Sequence, residues 1–299
     1  MKRAVALGAI IAVGALSMVA AFQALPQPAL KATEIEKVKD NLYIITGSDA
    51  SNREAFSGGN TGVFITDKGV VVVDTKLAGW GQVILDKIKT VTNKPIVTII
   101  NTHTHGDHTG SNEFFPASVE IVAHENTKAN MEKMDAFKGK PSALPDRTYK
   151  DKLSLGSGKD QVDLYYFGPG HTNGDTFIVY TALRVMQAGD MFAWKDAPFL
   201  DRSNGGSGVE MPRTLSKALA GIKNVDSVIP GHHPVTTWRE FEEYQRFNAD
   251  LLAAARDAIK AGKSADDAAA SINLTSKYRG YKSDRLNAAV QAIYGELKK

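Results

Sequence analysis

Seven histidines are all that this 299-residue chain contains. Three of them, His103, His105 and His108, fall within the single run "HTHGDH", with Asp107 between them. Imidazole nitrogen and carboxylate oxygen are the donors that suit Zn2+ and related divalent ions. Residues at i and i+2 of an extended segment point the same way, so His103 and His105 can converge on one point. A turn at Gly106 would let Asp107 and His108 face a second point nearby. More donors follow: "PGHTNGD" carries His171, "QAGDMF" carries Asp190, and "VIPGHHPV" carries His232 and His233. His171, Asp190 and His232 each follow a glycine, where the backbone can approach a ligand closely. A lone histidine is usually a surface or satisfied core residue. A cluster of this density, joined by further donors at Gly-flanked turns, reads as a metal site.

The elements that must position these donors are legible as alternating apolar runs. "NLYIITG", "TGVFITDKGVVVVDT" with its Lys68-Gly69 turn, and "PIVTIIN" are rich in Val and Ile, as strands buried on both faces are. The amphipathic stretch "GWGQVILDKIKTVT" separates the last two. "QVDLYYFGPG", "DTFIVYT" and "LRVMQAGD" form a second strand-rich portion, divided by Gly and Asn turns. Helical periodicity then takes over in "WREFEEYQRFNADLLAAARDAIKAG", in "SADDAAASI" with Ser264 as N-cap, and in "DRLNAAVQAIYGELKK". Residues 30–299 are thus expected to form one α/β unit, with 236–299 as a helical tail packed on it. The histidine cluster begins where a buried strand ends, the usual place for ligands in α/β proteins. His124, in "IVAHENT", also follows a strand and reads as a surface or helix-start histidine.

Composition narrows the chemistry. With 43% apolar residues the chain can bury a large core. The formal charge of +3 includes Lys2 and Arg3, and without them falls to 3 − 2 = +1. No run of like charges suggests a nucleic-acid or anionic-membrane partner. Two cations, an uncharged stretch from Ala4 to Ala21 and small residues at its end read as a secretory signal over residues 1–21. That implies a periplasmic or secreted protein, free of the membrane once the leader is cut. An uncleaved anchor is the alternative. Zero cysteines exclude disulfides, thiolate nucleophiles and Cys-containing zinc sites. No Gly-x-Ser-x-Gly elbow is present either.

The ordered set "HTHGDH", His171, Asp190 and "PGHH" resembles the metallo-β-lactamase superfamily, from about residue 40 into the helical tail. The resemblance implies a four-layer αβ/βα sandwich with additional C-terminal helices and a two-metal cleft between its halves. It places His103, His105 and His171 on one Zn2+, Asp107, His108 and His232 on the other, and Asp190 across both. His232 is preferred to His233 because the family's last ligand directly follows glycine, which leaves His233 on the rim. Asp74 would support the ligand loop without touching metal. Iron or manganese is the alternative to zinc.

The implied activity is hydrolysis of a small-molecule acyl, ester, lactone or lactam bond by a bridging hydroxide. Asp107 would orient the nucleophile and pass a proton to the leaving group. Iron-dependent sulfur or oxygen redox chemistry and genuine β-lactamase activity are the competing readings. Subgroups that cleave lactams place Cys or Ser where Asp190 stands, which favours the broader hydrolases. Phe56, Phe192, Trp194 and Phe199 are expected along the cleft walls, and "SNGGSG" around Gly205 is expected to be mobile.

Overall fold

A computed structural model of the chain describes residues 33–47 and 56–298, so the expected leader lies outside the described residues. Two sheets stack face to face. The first runs β1 (Ile35–Lys39), β2 (Leu42–Ile45), β3 (Thr61–Ile65), β4 (Val70–Val73), β5 (Ile96–Ile100), β6 (Glu120–His124) and β7 (Arg147–Tyr149) in spatial order. Helices α1 (Gly81–Lys89), α2 (Gly106–Thr109) and α3 (Glu125–Met131) fall between its later strands. The second sheet contains β8 (Lys152–Leu155), β9 (Val162–Tyr165), β10 (Phe177–Tyr180), β11 (Val185–Gly189), β12 (Ser227–Pro230) and β13 (Thr236–Thr237). Helix α4 (Met211–Gly221) precedes β12, and α5 (Trp238–Lys260), α6 (Ala265–Ser271) and α7 (Leu286–Leu297) follow β13.

The apolar pattern explains the layers. β4 is four buried valines, because one face meets the opposite sheet and the other meets α1. Val71 and Val73 join Leu164, Ile178 and Ile229 between the sheets, while Val70 and Val72 pack with Ile84 and Ile88 of α1. On the far side, Phe177 and Met186 pack against Phe241, Phe247 and Leu251 of α5. Buried Phe241, Tyr244, Phe247, Asn248, Leu251, Leu252, Ala255 and Ala258 recur at steps of three and four, one stripe of a helix. Thr237 and Glu240 close a capping box at its start. The result is an αβ/βα sandwich with extra C-terminal helices, as expected. Among the described residues no helix is long and apolar enough to cross a membrane.

Strand direction gathers the loops. β4, β5 and β6 are parallel, so Asp74 and the segment after Ile100 emerge at one edge. β9 and β11 are each antiparallel to β10 and so run the same way, and β12 is parallel to β11. The loops carrying His171, Asp190 and His232 therefore leave a common edge of the second sheet.

Lys76 fastens the neighbouring connection. It is fully buried, and its Nζ donates to the carbonyls of Gly59 at 2.7 Å, Thr46 at 3.0 Å and Ile45 at 3.3 Å. Burial pushes its ammonium down to about 7, against the pull of Asp74 and Asp107. Between that value and the ordinary lysine value of 10.5 the unfolded chain holds a proton that the folded chain has lost. Stability contributed at this site therefore rises with pH across the window, by up to ~1.4 kcal/mol per pH unit. Urea unfolding of the parent and Lys76→Met from pH 7 to 10 should show the gap moving in the parent's favour as pH rises. A gap that stays flat would count against it.

Candidate metal centre

The segment after β5 behaves differently from a simple turn. Gly106 opens the short helix α2, and His105 is its N-cap in extended conformation. His103 lies in the bend that leads to the extended His105, while Asp107 and His108 lie on the helical turn. This change of backbone splits the four donors between two points. At the first, His105 Nδ1 is 3.2 Å from His103 Nε2 and 2.9 Å from His171 Nε2. The three rings stand edge-on, with interplanar angles of 84–85°. At the second, His108 Nε2 is 3.2 Å from His232 Nε2, and Asp107 Oδ2 is 3.3 Å from His232 Nε2. Asp190 spans them. Its Oδ2 is 3.7 Å from His171 Nε2, and its Oδ1 is 3.3 Å from His108 Nε2 and 3.5 Å from His232 Nε2.

The outer ring nitrogens show which inner ones carry lone pairs. His105 Nε2 donates to Asp201 Oδ2 at 2.7 Å, His171 Nδ1 to the Phe199 carbonyl at 2.7 Å, and His108 Nδ1 to Asp74 Oδ2 at 2.7 Å. The Thr102 hydroxyl donates to Asp74 Oδ2, so it can only accept from His103 Nδ1, at 2.9 Å. His103, His105 and His171 thus aim three lone pairs at one point, which repel unless a cation lies between them. Asp190 Oδ1 is buried and accepts no hydrogen bond among the described residues. These features fit a pair of divalent ions: His103, His105, His171 and Asp190 form one donor group, and Asp107, His108 and His232 the other. All seven expected donors meet.

Electrostatics agree with this division. Burial holds His103 and His171 below their ordinary values, keeping them neutral. Burial opposes charge on His108 too, but Asp190, Asp107 and Asp74 outweigh it and raise its pKa well above normal. His232 is raised in the same way, chiefly by Asp190 against burial. Burial would lift Asp107, but His108 and His232 hold it at about 2. A metal entering the second group must displace the proton of His108, so its affinity falls as pH falls.

Two glycines are required by this packing. Gly189 adopts φ +50°, and a Cβ there would strike Thr102; a Cβ on Gly231 would strike Asp190 Oδ1. Asp74 supports the ligand loop as expected, binding Thr102 and His108.

Other expectations are corrected. Phe192 is fully buried and stacks on Tyr244, whereas Phe56, Trp194 and Phe199 line a cleft of about 560 Å³ beside the donors. The "SNGGSG" segment is pinned, with Gly206 N–H on the Asp201 carbonyl and Ser207 Oγ on Glu296. His124 is buried and not on the surface. It stacks on Tyr166, donates to the Lys150 carbonyl and caps the start of α3, so only the helix-start half of that expectation holds. His233 sits beside the cleft, where its carbonyl accepts from Asn60.

Asp201 escaped the sequence reading, although the Asx turn it forms with Ser203 and Asn204 is a local signal. Burial would raise its pKa, but hydrogen bonds from His105, Ser203 and Asn204 lower it strongly. Asp201→Ala frees the His105 ring to turn and should weaken metal binding ~10–100-fold. Competition against a colorimetric chelator reads this, and undiminished affinity would contradict the assignment.

The family described as "Metallo-beta-lactamase superfamily" matches residues 55–265. The chain is 29% identical over 209 residues to "Metallo-beta-lactamase type 2" of Elizabethkingia meningoseptica, covering 67% of this chain and 78% of that one. It is 32% identical over 183 residues to the "2,4-dinitroanisole O-demethylase subunit alpha" of Nocardioides sp. (strain JS1661), covering 58% and 52%. Among solved structures, a metallo-beta-lactamase from Pontibacter korlensis superposes with a TM-score of 0.62 at 18% identity, covering 73% of this chain and 99% of that one.

Proposed function

The chain belongs to the metallo-beta-lactamase superfamily, and from that premise we propose that it is an exported di-zinc hydrolase of small-molecule acyl, ester, lactone or lactam bonds. The observation that carries the reading is the carboxylate of Asp190, with one oxygen turned to each donor group. His103, His105, His171 and Asp190 would hold one zinc, and Asp107, His108, His232 and Asp190 the other. Zinc bound there supplies Lewis acidity that polarises a substrate oxygen and makes water acidic enough to attack near neutral pH.

The chain's own residues do the rest. Asp107 is ionised and lines the cleft, placed to orient the attacking water and to carry a proton to the leaving group. Asp201, the Phe199 carbonyl and Asp74 keep the imidazoles in the ligating tautomer. Phe56 and Trp194 flank His232, and Phe199 flanks His105 and His171, an aromatic wall on which an apolar part of the substrate can pack. Without cysteine, no thiolate nucleophile competes with this route. Export rests on the leader-like residues 1–21.

The relatives named as metallo-beta-lactamases favour a lactam substrate as the second reading, and Asp190 in place of Cys or Ser weighs against it. Metal analysis of the purified chain, with parallel assays on a chromogenic cephalosporin, a lactone, a phosphodiester and 2,4-dinitroanisole, tests the proposal. The expected result is two zinc ions per chain and chelator-sensitive hydrolysis of the cephalosporin, the lactone or the phosphodiester; turnover of the ether 2,4-dinitroanisole alone would place the cleaved bond outside the proposed classes. Iron with visible absorbance, or turnover indifferent to chelation, would overturn it.

A further inference from the structure

Arg285 stands at the start of α7, beyond the residues matched by the family, yet it lines the same cleft as Asp107, Asp190 and His232. Its guanidinium carbon lies 3.9 Å from the centroid of the Trp194 ring. The backbone leading into it is fixed: Lys282 N–H donates to the Lys195 carbonyl at 2.9 Å, and the buried Asp196 carboxyl accepts from the backbone N–H of Arg285. The loop just after Asp190 and the loop before α7 are therefore joined, with Arg285 held over the indole.

Besides the Trp194 face, the head group feels the Asp196 carboxyl only at a distance, through charge and not through a close ion pair. Among the described residues no carboxylate forms an ion pair with it, and no hydrogen bond engages its N–H groups, although Asp107, Asp190 and Asp201 share its cleft. Those three acids face histidines instead. A second cavity of about 670 Å³ adjoins the cleft across Trp194, His232 and Arg285. A substrate reaching from the donor groups toward that cavity must pass the guanidinium. Arginine presents a planar fork matched to two oxygens of a carboxylate, sulfonate or phosphate, and stacking on an aromatic face limits its freedom.

We propose that Arg285 is a specificity-determining residue that binds an anionic group of the substrate, so that this enzyme prefers small molecules carrying a carboxylate, sulfonate or phosphate away from the bond it cleaves. This rests on the hydrolase reading for the location of the cleaved bond, but the anion site stands on its own geometry.

The test compares mono-4-nitrophenyl glutarate, which carries a free carboxylate, with neutral 4-nitrophenyl butyrate, for the parent, Arg285→Ala and Arg285→Lys. The parent should favour the anionic ester by ~10-fold in kcat/KM, mainly through KM, and Arg285→Ala should erase that preference with less than ~3-fold change on the neutral ester. Arg285→Lys should restore part of it. No preference in the parent, or an equal loss on both esters, overturns the proposal. If neither ester is turned over, the hydrolase reading suffers, and calorimetric titration with benzenesulfonate decides the anion site separately. Binding weakened ~10-fold in Arg285→Ala supports it, and unchanged binding rejects it.

Discussion

Asp190→Ala is expected to lower kcat/KM by roughly 10³-fold, about 4 kcal/mol of transition-state stabilisation, the scale of a lost Lewis-acid contribution. The magnitude follows from position. Asp190 is the one donor that faces both groups, with Oδ2 toward His171 and Oδ1 toward His108 and His232. Its loss would deprive both donor groups of an anion at once. It also removes the largest attraction that holds charge on His108 against burial. Metal content should fall to one ion per chain or fewer, and Asp190→Asn, which keeps the shape without the charge, should fall between the two. Metal content, kcat/KM and a urea transition measured on the same preparations would separate a site effect from unfolding. Two metals and parental turnover in Asp190→Ala would remove the basis of the proposed function.

The second large effect is on stability. Asp74 is buried and accepts the Thr102 N–H at 2.8 Å, the Thr102 hydroxyl at 2.7 Å and His108 Nδ1–H at 2.7 Å. Asp74→Ala strands these three donors in a dry interior at ~1–3 kcal/mol each, so a loss of ~3–9 kcal/mol is expected. That is a large part of the ~5–15 kcal/mol typical of a domain. Asp74→Asn should lose less, because asparagine tolerates the φ of +64° seen here and retains one acceptor oxygen. Both variants also release the tautomers of His108 and, through Thr102, of His103. Chelated protein unfolded in urea gives the stability term free of metal. A change below ~1 kcal/mol in Asp74→Ala would show that the network is not needed for folding.

Much of this was legible because the signal was local. The long stripe of α5 and the valines of β4 announce their burial by spacing alone, and each ligand-bearing loop opens where an apolar run ends. The opening of α2 at Gly106 was not legible, since "HGDH" carries no apolar periodicity and the helix is a single turn. The short strands β1, β7 and β8 mix charged and apolar residues over three to five positions, too little for a period to show. His124 and Phe192 were misplaced for one reason: their partners, Tyr166 and Tyr244, are distant in sequence and supplied by other elements. Asp201 and Arg285 were missed likewise, as their roles depend on the His105 and Trp194 side chains across a fold boundary.

The first donor group takes His103 and His105 from one sheet's loop and His171 from the other's, and the second pairs Asp107 and His108 with His232 in the same manner. Any ion seated there is consequently a rivet through the sandwich rather than an ornament of one loop. At a free concentration a hundredfold above its dissociation constant, each would add ~2.7 kcal/mol to the cohesion of the entire molecule. Scarcity of such an ion would then be felt as a shorter lifetime of the protein against heat and proteases.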